Sequence, residues 1–265
     1  MIASSLKKLP FTREISLAML AYMYLPVLVL VAYSFNANRT ATVWTEFSVA
    51  WYGRILTNAS IQAAAVNTLI VGTIATLCAT LIALLAALAT SRAFRGLKLV
   101  EAGISLPLLL PEIVIAVATL LLFMALQVEL GLVTVTVAHI GFCIPFAYLP
   151  IRARLNNMDQ HLLEAAQDLY ADRYRTFRRV TLPLLWPGVL SGAVLAFVVS
   201  LDNFIMTFFV SGPGATTLPV YIFSAIRAGV TPEINAISTL MLVLSVVLVV
   251  VSYRLGQSGK MARQR

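Results

Sequence analysis

Long apolar runs alternate with short polar stretches along this chain, and their lengths predict helices that cross a membrane. A hydrocarbon layer takes about 20 helical residues to span. Runs of that order cover residues 15–35, 61–90, 102–126, 132–151, 188–210 and 234–253, so the pattern predicts six spans. The first follows Lys7, Lys8 and Arg13 and ends at Phe35-Asn36-Ala37-Asn38, a poor cleavage site, so it is a retained helix rather than a signal peptide, with Pro26 a candidate kink. The second carries no charge over its whole length, long enough to tilt or to project beyond the bilayer. The third contains Pro107, Pro111 and Glu112. The fourth contains His139, which reads as a hydrogen-bonded structural histidine. The fifth contains Asp202 and a Gly188/Gly192 pair at the spacing that lets helices approach closely. Residues 36–60 form a polar loop with Trp44, Trp51 and Tyr52, aromatics suited to a membrane interface. Residues 211–233 form a Gly/Pro-rich loop whose apolar piece, 218–226, is too short to span and is read as interfacial or re-entrant.

One stretch breaks the pattern. Residues 158–187 carry Asp159, Glu164, Asp168 and Asp172 with Arg173, Arg175, Arg178 and Arg179. Leu162, Leu163, Ala165, Ala166 and Leu169 recur at helical spacing, which predicts short amphipathic helices on a polar platform. Leu162, Leu163 and Ala166 are the expected docking face, with the acids and arginines available to pair with a partner's charges.

The composition agrees with a membrane solvent: 60% hydrophobic residues, 11% charged residues and a mean hydropathy of +0.91, where globular proteins carry roughly 25% charged residues. The net charge of +8 is not a nucleic-acid signature, because the basic residues sit at the ends of apolar runs. With the N-terminus inside, Arg39, Arg54 and Arg227 are the outer cations and the other sixteen of the 19 are inner. Both termini and the platform are therefore expected in the cytoplasm. Cys78 and Cys143 lie in apolar runs and read as buried small hydrophobes rather than a disulfide pair.

Chemistry is sparse. There is no G-x-x-x-x-G-K-[ST], H-E-x-x-H, C-x-x-C or G-x-S-x-G, and two histidines and two cysteines offer little to a metal. No catalytic residue, metal site or cofactor is expected in the chain. Glu112 falls about 15 Å into the third span and Asp202 about 21 Å into the fifth, at 1.5 Å per residue. Such charges are costly in lipid and face an interior or an aqueous cavity. One reading is a pair of structural carboxylates. The other is a negative lining for a cation path, with Asn203 beside Asp202 and proline-freed carbonyls beside Glu112.

The platform carries Glu164-Ala165-Ala166, three residues, Tyr170, nine residues, Val180, Thr181 and Leu182-Pro183. This resembles the EAA loop of the membrane subunits of binding-protein-dependent ABC importers, with Tyr170 where that family carries Gly. A glycine there implies a turn with positive φ, which a bulky residue tolerates poorly. Tyr33-Ser34-Phe35-Asn36, Trp51-Tyr52-Gly53, Leu106-Pro107 with Pro111 and Glu112, Ser200-Leu201-Asp202, the run from Phe209 to Pro219, and Pro232-Glu233-Ile234-Asn235-Ala236 resemble the spermidine/putrescine permease branch, C/I-type subunit. That branch often has a second acid where Asn203 stands.

The resemblance implies an all-α, polytopic type I ABC importer permease fold with six transmembrane helices, in a single domain over 1–265 with its coupling loop at about 155–185. It implies a non-enzymatic subunit of a bacterial inner-membrane importer. Its partners would be a homologous permease, two ATPase subunits that bind ATP and Mg, and an extracytoplasmic solute-binding protein. The coupling residues would be Glu164, Ala165, Ala166, Asp168, Tyr170, Leu182 and Pro183. The implied solute is a small cation with polyamine as the leading candidate; an amino acid or related compound, or an ion-driven secondary transporter, is the alternative.

Overall fold

A computed structural model of the chain describes residues 11–38, 43–91, 93–159, 161–229 and 231–261; Lys7, Lys8, Arg39, Arg92, Arg263 and Arg265 lie outside the described residues. Among the described residues the regular structure is helical, apart from one isolated bridge between Asn36 and Phe47. In order the helices are α1 (Thr12–Tyr33), α2 (Ala50–Ile55), α3 (Ala59–Thr90), α4 (Leu97–Leu109), α5 (Glu112–Ala125), α6 (Leu132–Asn156), α7 (His161–Asp168), α8 (Arg173–Thr176), α9 (Leu182–Asp202), α10 (Phe204–Val210), α11 (Leu218–Ala228) and α12 (Pro232–Met261). A π-helical turn, Phe177–Thr181, joins α8 to α9. The chain forms two compact units, one of residues 1–58 and 224–242, the other of 59–223 and 243–265.

In the first unit, α1 buries none of its side chains, and Pro26 lies inside it. Order is concentrated in the loop that follows. Trp51 is buried and its indole donates to the Asn36 carbonyl at 2.7 Å. The Ser34 and Tyr52 hydroxyls pair at 2.8 Å, and the Phe35 ring packs on Phe47 and Tyr52. The Asn36 amide donates to the Val43 carbonyl and accepts from the Thr45 N–H. Two separate sequence motifs, Tyr33–Asn36 and Trp51–Gly53, are thus one interlocked knot. Trp51 serves this loop core, while Trp44 stays half-exposed with its ring edge-on to Tyr33.

The second unit is built on α3, α6 and α9, which pack on one another. The buried face of α3 is a run of small residues that includes Ala64, Gly72, Ala75, Ala79, Ala83 and Ala87. Helices in lipid gain little from hydrophobic exclusion, so close van der Waals approach through small residues does the work. The Gly188/Gly192 pair gives that approach to α6. A methyl on Gly192 would stand 2.6 Å from the Ala147 carbonyl oxygen, and one on Gly188 2.7 Å from the Arg154 Cβ. Cys143 donates to the Ala196 carbonyl one turn further along, and the Arg154 Nε donates to the Leu184 carbonyl at 2.9 Å. These contacts fix α6 and α9 as an antiparallel pair in one register.

The third span departs from a single helix. It breaks after Leu109, and the helix axis bends by 110° between α4 and α5. Leu110 is extended and Pro111 has no N–H to continue the ladder, so α5 restarts at Glu112. The bent pair still carries the chain from one end of this unit to the other. The Thr90 hydroxyl at the end of α3 meets the Tyr148 hydroxyl at 2.9 Å late in α6, and Glu101 meets Arg152 at 3.4 Å. The start of α6 is at the opposite end, where Thr134 Oγ1 lies 2.8 Å from the Val210 carbonyl oxygen. With that pair counted as one crossing, six segments are long and apolar enough to span.

The fifth span also differs from a continuous run over 188–210. It begins earlier, as α9 at Leu182, and breaks at Asn203, whose backbone is extended, before α10 resumes. α12 continues helically through Met261, beyond the expected end at residue 253. The short apolar piece after Gly214 is α11, which at 11 residues stays below spanning length.

The α6–α9 contact yields a prediction. Gly192→Val forces a branched side chain into the Ala147 carbonyl, and overpacking of this kind costs about 1–3 kcal/mol. Thermal unfolding in detergent should show a clear loss for Gly192→Val and little change for Gly103→Val, where nothing lies within 4 Å of an added methyl. Equal unfolding temperatures would mean the pair separates without cost.

Candidate functional site

The platform is assembled from local capping. Asp172 caps α8 through its side chain, which accepts from the Arg175 N–H at 2.7 Å and pairs with the Arg175 guanidinium at 3.5 Å. The π turn precedes Leu182-Pro183. Pro183 lacks the N–H that an α-helix would direct to residue 179, and its ring would crowd that carbonyl. The wider turn, with the Leu182 N–H donating to the Phe177 carbonyl, accommodates both. The platform therefore runs without interruption into α9.

α7 packs against α8 and the π turn. Ala166 is only 8% exposed, and Leu163 is half-buried. This corrects the expected docking face: Leu163 and Ala166 hold α7 onto the platform, and the outward face is Leu162, Ala165 and Leu169, at positions i, i+3 and i+7. Glu164 and Asp168 are exposed beside it, and Glu164 meets His161 at 3.2 Å. Arg173, Arg178 and Arg179 are exposed as well.

Tyr170 ends α7 in the left-handed region at φ 58. The Ala171 N–H donates back to the Ala166 carbonyl at 3.0 Å, the six-to-one bond of a helix stop that ordinarily uses glycine. The turn is kept, and the tyrosine carries it. A non-glycine residue in this conformation costs about 1–2 kcal/mol. The side chain is 95% exposed and continues the outward face of Leu169.

The two buried-span acids stand at the two helix breaks. Glu112 is the first residue of α5, half-buried; Asp202 is the last of α9 and exposed on this chain's surface. Asn203 between α9 and α10 is 5% exposed, and its side-chain oxygen accepts the Met206 N–H at 3.0 Å, so it caps α10. α5 and α10 pack together. The loops that follow them meet, with Gly212 against the Leu130 carbonyl. Counting back at 1.5 Å per residue, Glu112 lies about 20 Å and Asn203 about 10 Å from the far ends of their helices. Glu112 is the nearer of the two to the platform. An exposed carboxylate at this depth does not face hydrocarbon without a large cost.

His139, 1% exposed, lies opposite the second break. Its Nδ1 is 2.8 Å from Ser200 Oγ and its Nε2 2.9 Å from Thr207 Oγ1, one residue on each side of the break. It is a structural histidine, as its isolation in the sequence implied. Among the described residues no cluster of His, Cys, Asp or Glu could hold a metal.

The family described as "Binding-protein-dependent transport system inner membrane component" matches residues 79–257. The chain belongs to this family. The match takes in the platform, both acids and His139. The chain is 41% identical to the spermidine/putrescine transport system permease protein PotC of Haemophilus influenzae, over 88% of this chain and 91% of that protein. It is 39% identical to the putrescine transport system permease protein PotI of Escherichia coli, over 88% and 86%. Its fold is similar to a chain of a bacterial ABC transporter that imports the acidic polysaccharide alginate, with TM-score 0.70 at 16% identity over 92% and 93% of the two chains. A chain of the MetNI methionine ABC transporter gives TM-score 0.64 at 17% identity over 76% and 99%. The all-α permease fold is thereby shown.

Membership leaves the sequence-predicted residues in two groups. Glu164, Ala165, Ala166, Asp168, Tyr170, Leu182 and Pro183 all lie on the platform. Glu112, Asp202 and Asn203 lie at the breaks, and no hydrogen bond joins Glu112 to Asp202. The sequence left Ser200 and Thr207 without a role as partners of His139, although all three lie in apolar runs where a hydroxyl needs a partner.

The platform geometry predicts opposite responses at adjacent alanines. Ala166→Leu should push α7 off the π turn and lower thermal stability, whereas Ala165→Leu should leave stability within about 0.5 kcal/mol. Tyr170→Gly should raise stability slightly by removing the left-handed penalty. Matching unfolding temperatures for both alanine variants would overturn the assignment of Ala166 as the inward residue.

Proposed function

We propose that this chain is one of two homologous permease subunits of an ATP-driven importer and forms half of the path for a small polycation of the polyamine class. The supporting observation is the identity of about two residues in five, across nearly the whole chain, to permeases named for spermidine and putrescine. The geometry supports the solute class. A cation entering a low-dielectric passage loses hydration and needs a counter-charge, and Asp202 and Glu112 offer two at successive depths. Asn203 leaves the upper step with a single carboxylate.

The partners in this reading are a second permease, two ATPase subunits and an extracytoplasmic binding protein. ATP and Mg bind on the ATPase subunits. The outward face Leu162, Ala165, Leu169 and Tyr170, flanked by Glu164 and exposed arginines, suits a cleft on such a subunit. Motion there passes through the unbroken turn into α9, whose far end is Asp202, about 30 Å away along the helix. The cytoplasm holds the platform and both termini, in keeping with the positive-inside distribution.

Two measurements test this reading. Asp202→Asn should lower putrescine uptake about tenfold per assembled complex, and Glu112→Gln about threefold, with assembly intact. Unchanged uptake per complex in both would reduce the acids to structural carboxylates. For orientation, single cysteines at Thr57 and Thr216 should react with an impermeant thiol reagent in intact cells, while one at Leu169 should not. Equal labelling at all three would reverse the topology.

A further inference from the structure

We infer that His139 is a positioning residue for the solute path: by engaging Ser200 and Thr207 at once, it fixes the break in the fifth span and so sets where Asp202 stands. The inference rests on the proposed role of Asp202.

A helix break leaves two rods joined at one residue. Here the joint is Asn203, at φ −72 and ψ 94. The joint's own hydrogen bonds, from the Met206 N–H to the Asn203 side chain and from the Thr207 hydroxyl to the Asn203 carbonyl, lie on the α10 side and do not tie α10 to α9. The imidazole is rigid and belongs to α6, which is locked to α9 by the Gly192 and Cys143 contacts below. One ring nitrogen holds the last turn of α9 at Ser200, and the other holds α10 at Thr207. Both halves are thereby tied to one point of α6, with Asp202 and Asn203 between the ties.

The hydrogen bonding also selects one form of the ring. The Thr207 hydroxyl donates its one hydrogen to the Asn203 carbonyl at 3.1 Å, so it accepts from His139 Nε2–H. Nδ1 then accepts from the Ser200 hydroxyl. A neutral imidazole satisfies every group in this chain, which runs from Ser200 through His139 and Thr207 to the backbone of the joint.

Loss of the ring would cost little in satisfied bonds. Serine and threonine hydroxyls in a helix fall back on carbonyls three or four residues earlier, and Thr207 already uses one. What is lost is the angle. This separates positioning from plain stabilisation: the complex should assemble, and Asp202 should move.

The test uses the complete transporter in proteoliposomes. An Asp202→Cys probe is reacted with a small charged methanethiosulfonate, after subtraction of labelling at Cys78 and Cys143. His139→Leu and, separately, the Ser200→Ala/Thr207→Val pair should each change the reaction rate at least about fivefold. His139→Gln, which keeps a donor near Thr207, should fall between. Uptake of putrescine per assembled complex should drop about tenfold for His139→Leu when Asp202 is present, and less than about twofold when Asp202→Asn is already made. Unchanged thiol rates in both staple variants overturn the inference. Equal fold-losses of uptake in the two backgrounds overturn it as well, because His139 then acts independently of Asp202. If Asp202→Asn alone leaves uptake intact, the path reading fails, and the thiol rates alone decide whether His139 positions the residue.

Discussion

Backbone groups freed inside a hydrocarbon layer must find partners within the protein, and this chain breaks its helices twice at that depth. Neighbouring residues pair with freed groups at each break. At the first, Pro111 has no N–H to leave unpaired, and its carbonyl accepts from the N–H groups of Val114 and Ile115 as α5 starts. At the second, the Asn203 side chain takes the Met206 N–H, the Thr207 hydroxyl returns to the Asn203 carbonyl, and Thr134 reaches across from α6 to the Val210 carbonyl. Side chains of α6 and α10 therefore do for the backbone what water does in a soluble loop. Glu112 and Asp202 are tolerated at these places because the breaks have already made them polar.

Much of this was legible in the sequence, and the limits are physical. Run length located every span, because the bilayer sets one scale for all of them. It did not reveal the breaks, because Pro111 and Asn203 interrupt the backbone without interrupting the hydropathy. Pro107 shows the difficulty: it lies inside α4 and leaves it helical, while Pro111 four residues later ends it. A proline's effect depends on whether the freed carbonyl finds another partner, which is a tertiary fact. The platform's short helices were legible from the spacing of its apolar residues, and its kinship with an EAA loop from the resemblance. Its inward face was not: Ala166 and Leu163 are the more buried positions of a helix that packs on the π turn and α8, and a wide turn has no strong sequence signal. Tyr170 stands where the resemblance places a glycine turn, and the backbone adopts the left-handed conformation at φ 58 with the side chain exposed, at the local cost of its Cβ against the backbone.

The distribution of stiffness along α6 and α9 follows from which residues face each other. Toward the platform, Gly188 and Gly192 bring the two backbones so close that a single methyl has no room, and Arg154 clamps the Leu184 carbonyl. Toward the opposite end the glycines give way to Ser200, His139 and Thr207, and backbone contact gives way to hydrogen bonds between side chains. These bonds tie α10 to the same part of α6 that holds the last turn of α9, so the angle at the joint rests on three side chains rather than on backbone packing. α9 is thus held by backbone contact where it leaves the platform and by side-chain hydrogen bonds where it carries Asp202, so a single ring on α6 sets the position that packing sets elsewhere along the pair.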